Sequence, residues 1–347
     1  MAALRHISQS LLRNFLKTEI RPNPETCSVC IRLLNYSSID YDDKHDPSPK
    51  FFNKEVQSLL KDLTRIDLGK VNKRKRLGSD KLEEPVYQFM TDEELQKATE
   101  AAIKKSEELL QIPPVVSVRK PINRVLSEDP ALQGLEQSTM VFTDITFGIR
   151  DSDRLIVVRE PSGILKEAEW DVKNRMNQLY FPKEGRLLKP PKMFFGEYFE
   201  SLLERKEYEF ILDRACLQFE PNDPDYQRVT SITYQHVNDK GGFEMLRSTR
   251  HFGALVFFLA WHKNIDNLLL DLIETSYIEE GSKLLDLYSK LHDVNFKSSN
   301  DLEKIEEYIK NFAKKKAGLE LGVQAYKDVL KQRQELEEGI KVAHGLR

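Results

Sequence analysis

The chain has 347 residues, 53 Lys and Arg against 56 Asp and Glu, 15 Gly, 15 Pro and three cysteines. Those numbers exclude a collagen-like or Gly/Pro-rich low-complexity protein and a disulfide-stapled module, and they suit a globular chain of about two domains. A net charge of −3 is also wrong for a protein that coats nucleic acid, because releasing phosphate counterions needs a cation surplus; any contact with nucleic acid has to be local.

In residues 1–36, Arg5, Arg13, Lys17, Arg21 and Arg32 face only Glu19 and Glu25. Leu4, Ile7, Leu11, Leu12, Phe15 and Leu16 fall on one side of a helical projection, with His6, Arg13 and Lys17 opposite. A basic, acid-poor amphipathic helix at the N-terminus reads as a mitochondrial import leader, with a surface or membrane-interface helix as the alternatives. Cys27 and Cys30 make a CxxC there. Zinc needs four ligands and Cys216 has no companion, so this spacing is read as chance.

Residues 37–85 are polar and read as an extended arm with one short amphipathic helix from Phe51 to Leu63, followed by the basic run Lys73–Arg76. That run either touches phosphates or is simply solvated. Residues 86–163 read as one helix plus a β-hairpin. Thr91 with Glu94 three residues on is a capping box, which predicts a helix from about Asp92 to Leu110, stopped by Pro113 and Pro114. Val141–Phe147 and Arg154–Arg159 flank the turn residues 150–153 as two strands, with Pro161, Ser162 and Gly163 ending the hairpin. Residues 164–347 read as a helical domain. Its first helix is expected over Leu165–Tyr180, then a Pro-rich basic loop 183–192, then helices over roughly 194–217 and 225–237.

Thr249–Trp261 is apolar on all sides and is expected at the buried centre. Four amphipathic faces follow, marked by Leu268 and Leu272, by Leu284 and Leu291, by Ile305 and Ile309, and by Val323 and Leu330; beyond Leu330 the apolar positions thin out. Short linkers imply antiparallel neighbours. The predicted fold is thus mainly α with a small β-hairpin, an irregular stack of antiparallel helices.

No nucleotide-loop, nucleophile-elbow, zinc-helix or EF-hand motif occurs, and two SxxK tetrads, Ser58–Lys61 and Ser117–Lys120, lack their companion motifs. His251 and His262 share a helix face but stand about 16 Å apart along it, too far for one metal ion. No cofactor and no metal site is expected. The cationic clusters carry more information. Lys183, Arg186, Lys189 and Lys192 lie in the Pro-constrained loop with Glu184 as the one acid between them; they are candidate RNA-phosphate contacts, which position without conferring sequence specificity. Arg247 and Arg250 open the apolar helix, where the helix dipole does not favour cations, so they seek either an external phosphate or a carboxylate of the chain itself.

The blocks FMTDEEL (89–95), PINRVLSEDPAL (121–132), VFTDI (141–145), LIVVREPSG (155–163), LYFPKEGR (179–186), QFEPNDPDY (218–226) and LRSTRHFG (246–253) together resemble a mitochondria-specific family of the animal small ribosomal subunit, small-subunit protein twenty-two. The resemblance spans roughly residues 50–330. It implies a non-enzymatic structural constituent of the ribosome in the mitochondrial matrix. The partners implied are other small-subunit proteins and, locally, small-subunit ribosomal RNA, with no membrane and no small-molecule substrate. A mitochondrial helical adaptor not bound to ribosomes is the alternative.

Overall fold

The computed structural model describes residues 46–72, 87–134, 137–298 and 300–344. The expected leader over 1–36, its CxxC and the basic run Lys73–Arg76 lie outside these residues.

Among the described residues, fourteen α-helices and four short strands follow one another. Helix α1 (Ser48–Phe51), α2 (Lys54–Thr64) and α3 (Leu68–Val71) come first, then α4 (Asp92–Leu109). α4 begins at the expected capping box: the Thr91 hydroxyl accepts from the Glu94 amide, and the Glu94 carboxylate accepts from the Thr91 amide. The stretch expected on an arm is instead part of the core. Phe51, Val56, Leu60 and Leu63 are buried together with the apolar helix α10 (Arg250–Trp261) and helix α12 (Ile278–His292), and the Phe51 ring meets Phe257 edge-on at 5.1 Å. The amphipathic pattern was visible; its partner, some 200 positions later, was not.

The sheet is larger than one hairpin. Strands β1 (Val125–Glu128), β2 (Met140–Thr143), β3 (Ile156–Arg159) and β4 (Ile164–Glu167) pair antiparallel in the order β1-β4-β3-β2. Pro161–Gly163 does not end the strands; it turns β3 into β4. Gly163 sits at φ +86°, and a Cβ on it would lie 2.2 Å from the Asp129 carbonyl oxygen, so only glycine fits. The helix expected from Leu165 therefore begins later, as α5 (Trp170–Tyr180). α5 lays Val172 and Met176 on Ile156, Val158 and Ala168, a second and much smaller core.

The remaining helices are α6 (Gly196–Glu204), α7 (Tyr208–Gln218), α8 (Pro224–Lys240), α9 (Phe243–Leu246), α10, α11 (Asp266–Glu274), α12, α13 (Asp301–Asn311) and α14 (Lys316–Ala343). They enclose the main core, with α10 at its centre as its all-round apolarity requires: Phe252, Leu255, Val256, Phe257, Leu259 and Ala260 are all buried. Only Leu319 and Val323 of α14 are buried, and its second half stands exposed.

Tight caps turn one helix into the next without glycine. After α6, α10 and α11, Lys206, Lys263 and Ser276 adopt φ of 61°, 55° and 64°. The following amides reach back five residues: Glu207 to Leu202 (3.1 Å), Asn264 to Leu259 (2.9 Å) and Tyr277 to Leu272 (2.8 Å). These are Schellman caps with an ordinary residue in the left-handed position.

Buried Asp266 closes the corner between α13 and α14. Its carboxylate accepts from the Tyr308 hydroxyl (2.7 Å) and from the amides of Lys314 and Lys315 (both 2.8 Å). The sheet is tied to the stack by the extended segment 111–124. Arg119 pairs with Asp223 at 2.6 Å and lies over the Trp170 ring, its amide donates to Asn222 (2.9 Å), Gln227 donates to the Val116 carbonyl (2.7 Å), and the Trp170 indole donates to the Lys120 carbonyl (2.7 Å).

Candidate functional site

The loop over 183–192 leaves α5 and is fixed at both ends of its turn. The Gln178 side chain accepts from the Lys183 amide (3.2 Å) and donates to the Arg186 carbonyl (3.0 Å). Gly185, at φ +79°, turns its carbonyl to the Arg214 guanidinium (2.8 Å). Gln218 then clasps the Leu187 backbone through both its amide groups (3.0 and 2.8 Å). The loop is therefore a rigid ridge on α7, as its prolines suggested.

Its four cations divide into two pairs. Lys183 bonds Asp151 (2.7 Å) and Glu220 (3.1 Å), and Arg186 bonds Glu220 (2.7 Å). Burial disfavours the Lys183 ammonium, but its bonds to Asp151 and Glu220 outweigh that and raise its pKa. Burial works against the Glu220 carboxylate as well, and the bonds from Arg186 and Lys183 outweigh it and lower its pKa. These two cations brace the loop. Lys189 and Lys192 stand exposed, flanking Pro190 and Pro191, with no ion pair to any described residue.

Beside the braced end opens a cleft of about 960 Å³, lined by segment 114–121, residues 150–152, Trp170, Asn174, Lys183 and residues 220–222. Its walls carry both signs of charge: Lys183 faces Asp151 and Glu220, and Arg150 pairs with Asp153 at 2.9 Å. Such walls do not concentrate an anion.

The second candidate pair turns inward. Arg247 is 4% exposed in its side chain and is surrounded by Asp271 (2.5 Å), Glu244 (3.2 Å) and Glu280 (3.6 Å), with the Phe252 ring alongside. Glu280 in turn takes Arg65 in a two-pronged pair, whose second bond is 2.6 Å, and Arg65 stacks on Tyr277. Arg250 holds Asp213 through Nε (3.1 Å) and a terminal nitrogen (2.9 Å), and the same carboxylate oxygen meets His251 Nε2 at 2.8 Å. Burial holds the His251 imidazole below its usual pKa against the pull of Asp213. Both arginines thus find carboxylates of the chain itself. Arg247, enclosed on every side, offers nothing to a phosphate, and of the two readings made for this pair the internal one describes the geometry.

Sequence reasoning missed Arg154. Its side chain is 2% exposed and carries no carboxylate partner among the described residues; it donates to the carbonyls of Asp144 and Thr146 (both 2.9 Å) and Ile149 (3.1 Å), beneath the Phe181 ring. One arginine in a charged stretch gives no signal that it will fold under its own loop. Among the described residues no cluster of His, Cys, Asp and Glu is placed to hold a metal ion, and no helix is long and apolar enough to cross a membrane.

Residues 49–293 match the family described as Mitochondrial 28S ribosomal protein S22. The protein called "Small ribosomal subunit protein mS22" from Mus musculus is 36% identical over 317 residues, covering 89% of this chain and 87% of its own length. Its counterpart of the same name from Bos taurus is 38% identical over 287 residues, 81% of this chain and 79% of that one. The matched span runs from α1 to the end of α12, so it takes in the sheet with its small core, the main core apart from the residues that α13 and α14 contribute, the extended segment 111–124 and the basic ridge. The chain belongs to the mitochondrial 28S ribosomal protein S22 family.

Proposed function

We propose that this protein is a structural constituent of the small subunit of the mitochondrial ribosome, in the mitochondrial matrix, held there mainly by neighbouring proteins and locally by ribosomal RNA. The observation that carries this reading is the family membership over most of the chain, with relatives named as small ribosomal subunit proteins. The charge distribution supports the balance of partners. Net charge is −3, and Lys183, Arg186, Arg247 and Arg250 are engaged by carboxylates of the chain. A protein embedded in RNA would keep such cations for phosphates.

The RNA foothold accordingly narrows to Lys189 and Lys192, two exposed cations on a ridge whose backbone is already ordered. Holding them fixed before contact lowers the cost of gripping a phosphate chain. Lys183 and Arg186 act one step back, by shaping the ridge. The role involves no turnover of a substrate: the chain fills space and presents surfaces.

Sedimentation of a mitochondrial lysate through a sucrose gradient tests the main reading, which requires the chain to travel with the small subunit; a chain that stays at the top of the gradient is an adaptor. Reversing the exposed pair, Lys189→Glu with Lys192→Glu, should reduce incorporation, more so as salt rises. Incorporation equal to wild type at every salt concentration removes the foothold and leaves the protein-held reading intact.

A further inference from the structure

The two edges of the sheet differ. β1, at one edge, is guarded in the ways that keep strands from recruiting others: its register shifts between Val125 and Ser127, it ends on Glu128, and Pro130 follows. β2, at the other edge, is unguarded. Its four residues, Met140–Thr143, pair with β3 in unbroken register and include no Lys, Pro or bulge.

The backbone alternation says which groups β2 leaves open. The Asp144 amide donates to the carbonyl of Leu155, the residue just before β3 (3.1 Å), so Asp144, Phe142 and Met140 direct their N–H and C=O inward, and those of Val141 and Thr143 point out. On the far side of β3 the Ile156 carbonyl accepts from Ala168 (2.9 Å), as the same alternation demands. Among the described residues no strand pairs with the outer side of β2. Apolar side chains mark the same edge: Val141 is 38% exposed, Phe142 50%, Ile145 62% and Phe147 88%. They are presented rigidly, because Arg154 holds the carbonyls of Asp144, Thr146 and Ile149 and Phe147 leans edge-on against Phe181 at 5.5 Å.

We propose that the outer edge of β2 is a docking site for an extended segment of a neighbouring small-subunit protein, which adds a fifth strand; this rests on the ribosomal reading above. The open groups decide the chemistry of the occupant. Two N–H donors and two C=O acceptors repeat every second residue, about 6.8 Å apart, a spacing that the backbone of an extended polypeptide satisfies on both counts. From Met140 to Phe147 there is no cation and one carboxylate, Asp144, so a phosphate chain finds nothing there. The incoming segment carries apolar residues to cover Val141 and Phe142 on the two faces.

Amide hydrogen exchange over 140–147 on the full-length chain, free and in gradient-purified small subunits, tests this directly. In the free chain the Val141 and Thr143 amides should exchange fast while Phe142 is protected; in the subunit both should slow by roughly tenfold or more. Val141→Pro removes one outward donor and no bond to β3. It should leave the urea midpoint of the free chain near wild type and lower incorporation by roughly tenfold. Equal exchange of Val141 and Thr143 in the two states overturns the proposal. So does protection already present in the free monomer, which would mean that the chain covers its own edge, or protection that appears with self-association. Wild-type incorporation of a folded Val141→Pro chain overturns it too, while a wild-type chain absent from the small subunit defeats the ribosomal reading first.

Discussion

The helical stack and the four-stranded sheet stabilise themselves by different means. The stack buries a continuous apolar core from Phe51 to Val323, so hydrophobic burial dominates and most positions have redundant neighbours. The sheet region has three buried apolar residues, Ile156, Val158 and Ala168. It depends on directed polar contacts: Arg154 beneath its loop, Lys173 on Glu167 (2.7 Å), Asn177 on the Asp151 carbonyl (3.0 Å) and the extended segment at Arg119. A region built in this way is specific in shape and weak in reserve, which suits a surface completed by another molecule.

The sharpest probe of the stack is Phe257→Ala. Phe257 is fully buried between Phe51 and Trp261, and its removal should cost about 3–5 kcal/mol of global stability, read from urea unfolding. A loss under about 1 kcal/mol would break the comparison, since it would mean that the core repacks freely. Arg154→Ala probes the sheet. It leaves three carbonyls without their donor and should cost about 2–3 kcal/mol, expressed locally: amides of 144–153 exchange faster while those of α10 do not change. If α10 exchange accelerates equally, the two regions are one cooperative unit.

Acid should separate them further. His236, His251, His262 and His292, all in the stack, are held below the usual histidine pKa, chiefly by burial. A depressed histidine stays neutral in the folded chain while the unfolded chain takes up the proton. Its contribution is therefore complete above about pH 6.5 and is lost as pH falls through that value. The urea midpoint should drop between pH 7.5 and 5.5, and His251→Asn should make the drop shallower; a flat profile would refute this. The smallest effect expected is a gain. Lys206→Gly and Ser276→Gly relieve left-handed backbone at the helix caps and should each stabilise by about 1 kcal/mol, seen as a higher melting temperature with no change in the sheet.

Local signals in the sequence were legible and distant pairings were not. The capping box at Thr91 and Glu94, the all-round apolarity of α10 and the faces of α11 to α13 depend on neighbours within a few residues, and each produced the element expected. β4 reads as the start of a helix because Leu165, Val172 and Met176 continue one apolar series into α5; only the pairing with β1 and β3 makes it a strand. β1 is exposed along its whole length, so no alternation marks it. At the candidate site, proline content announced a rigid loop, yet the neutralisation of Lys183 and Arg186 by Glu220 spans more than thirty positions and has no local signature. The caps at Lys206, Lys263 and Ser276 were hidden for a different reason: they use a left-handed residue with a side chain where glycine is the usual sign.

Asp266 bears on how the chain can be shortened. The family match ends at residue 293, but this carboxylate, inside the matched region, is satisfied by Tyr308, Lys314 and Lys315, all outside it. Truncation after α12 would leave a negative charge without its donors and uncover Leu270 and Ile273, which α14 approaches closely at Gly322. The last two helices are thus a lid that the matched body cannot shed, and any shortened chain meant to report on assembly has to keep them.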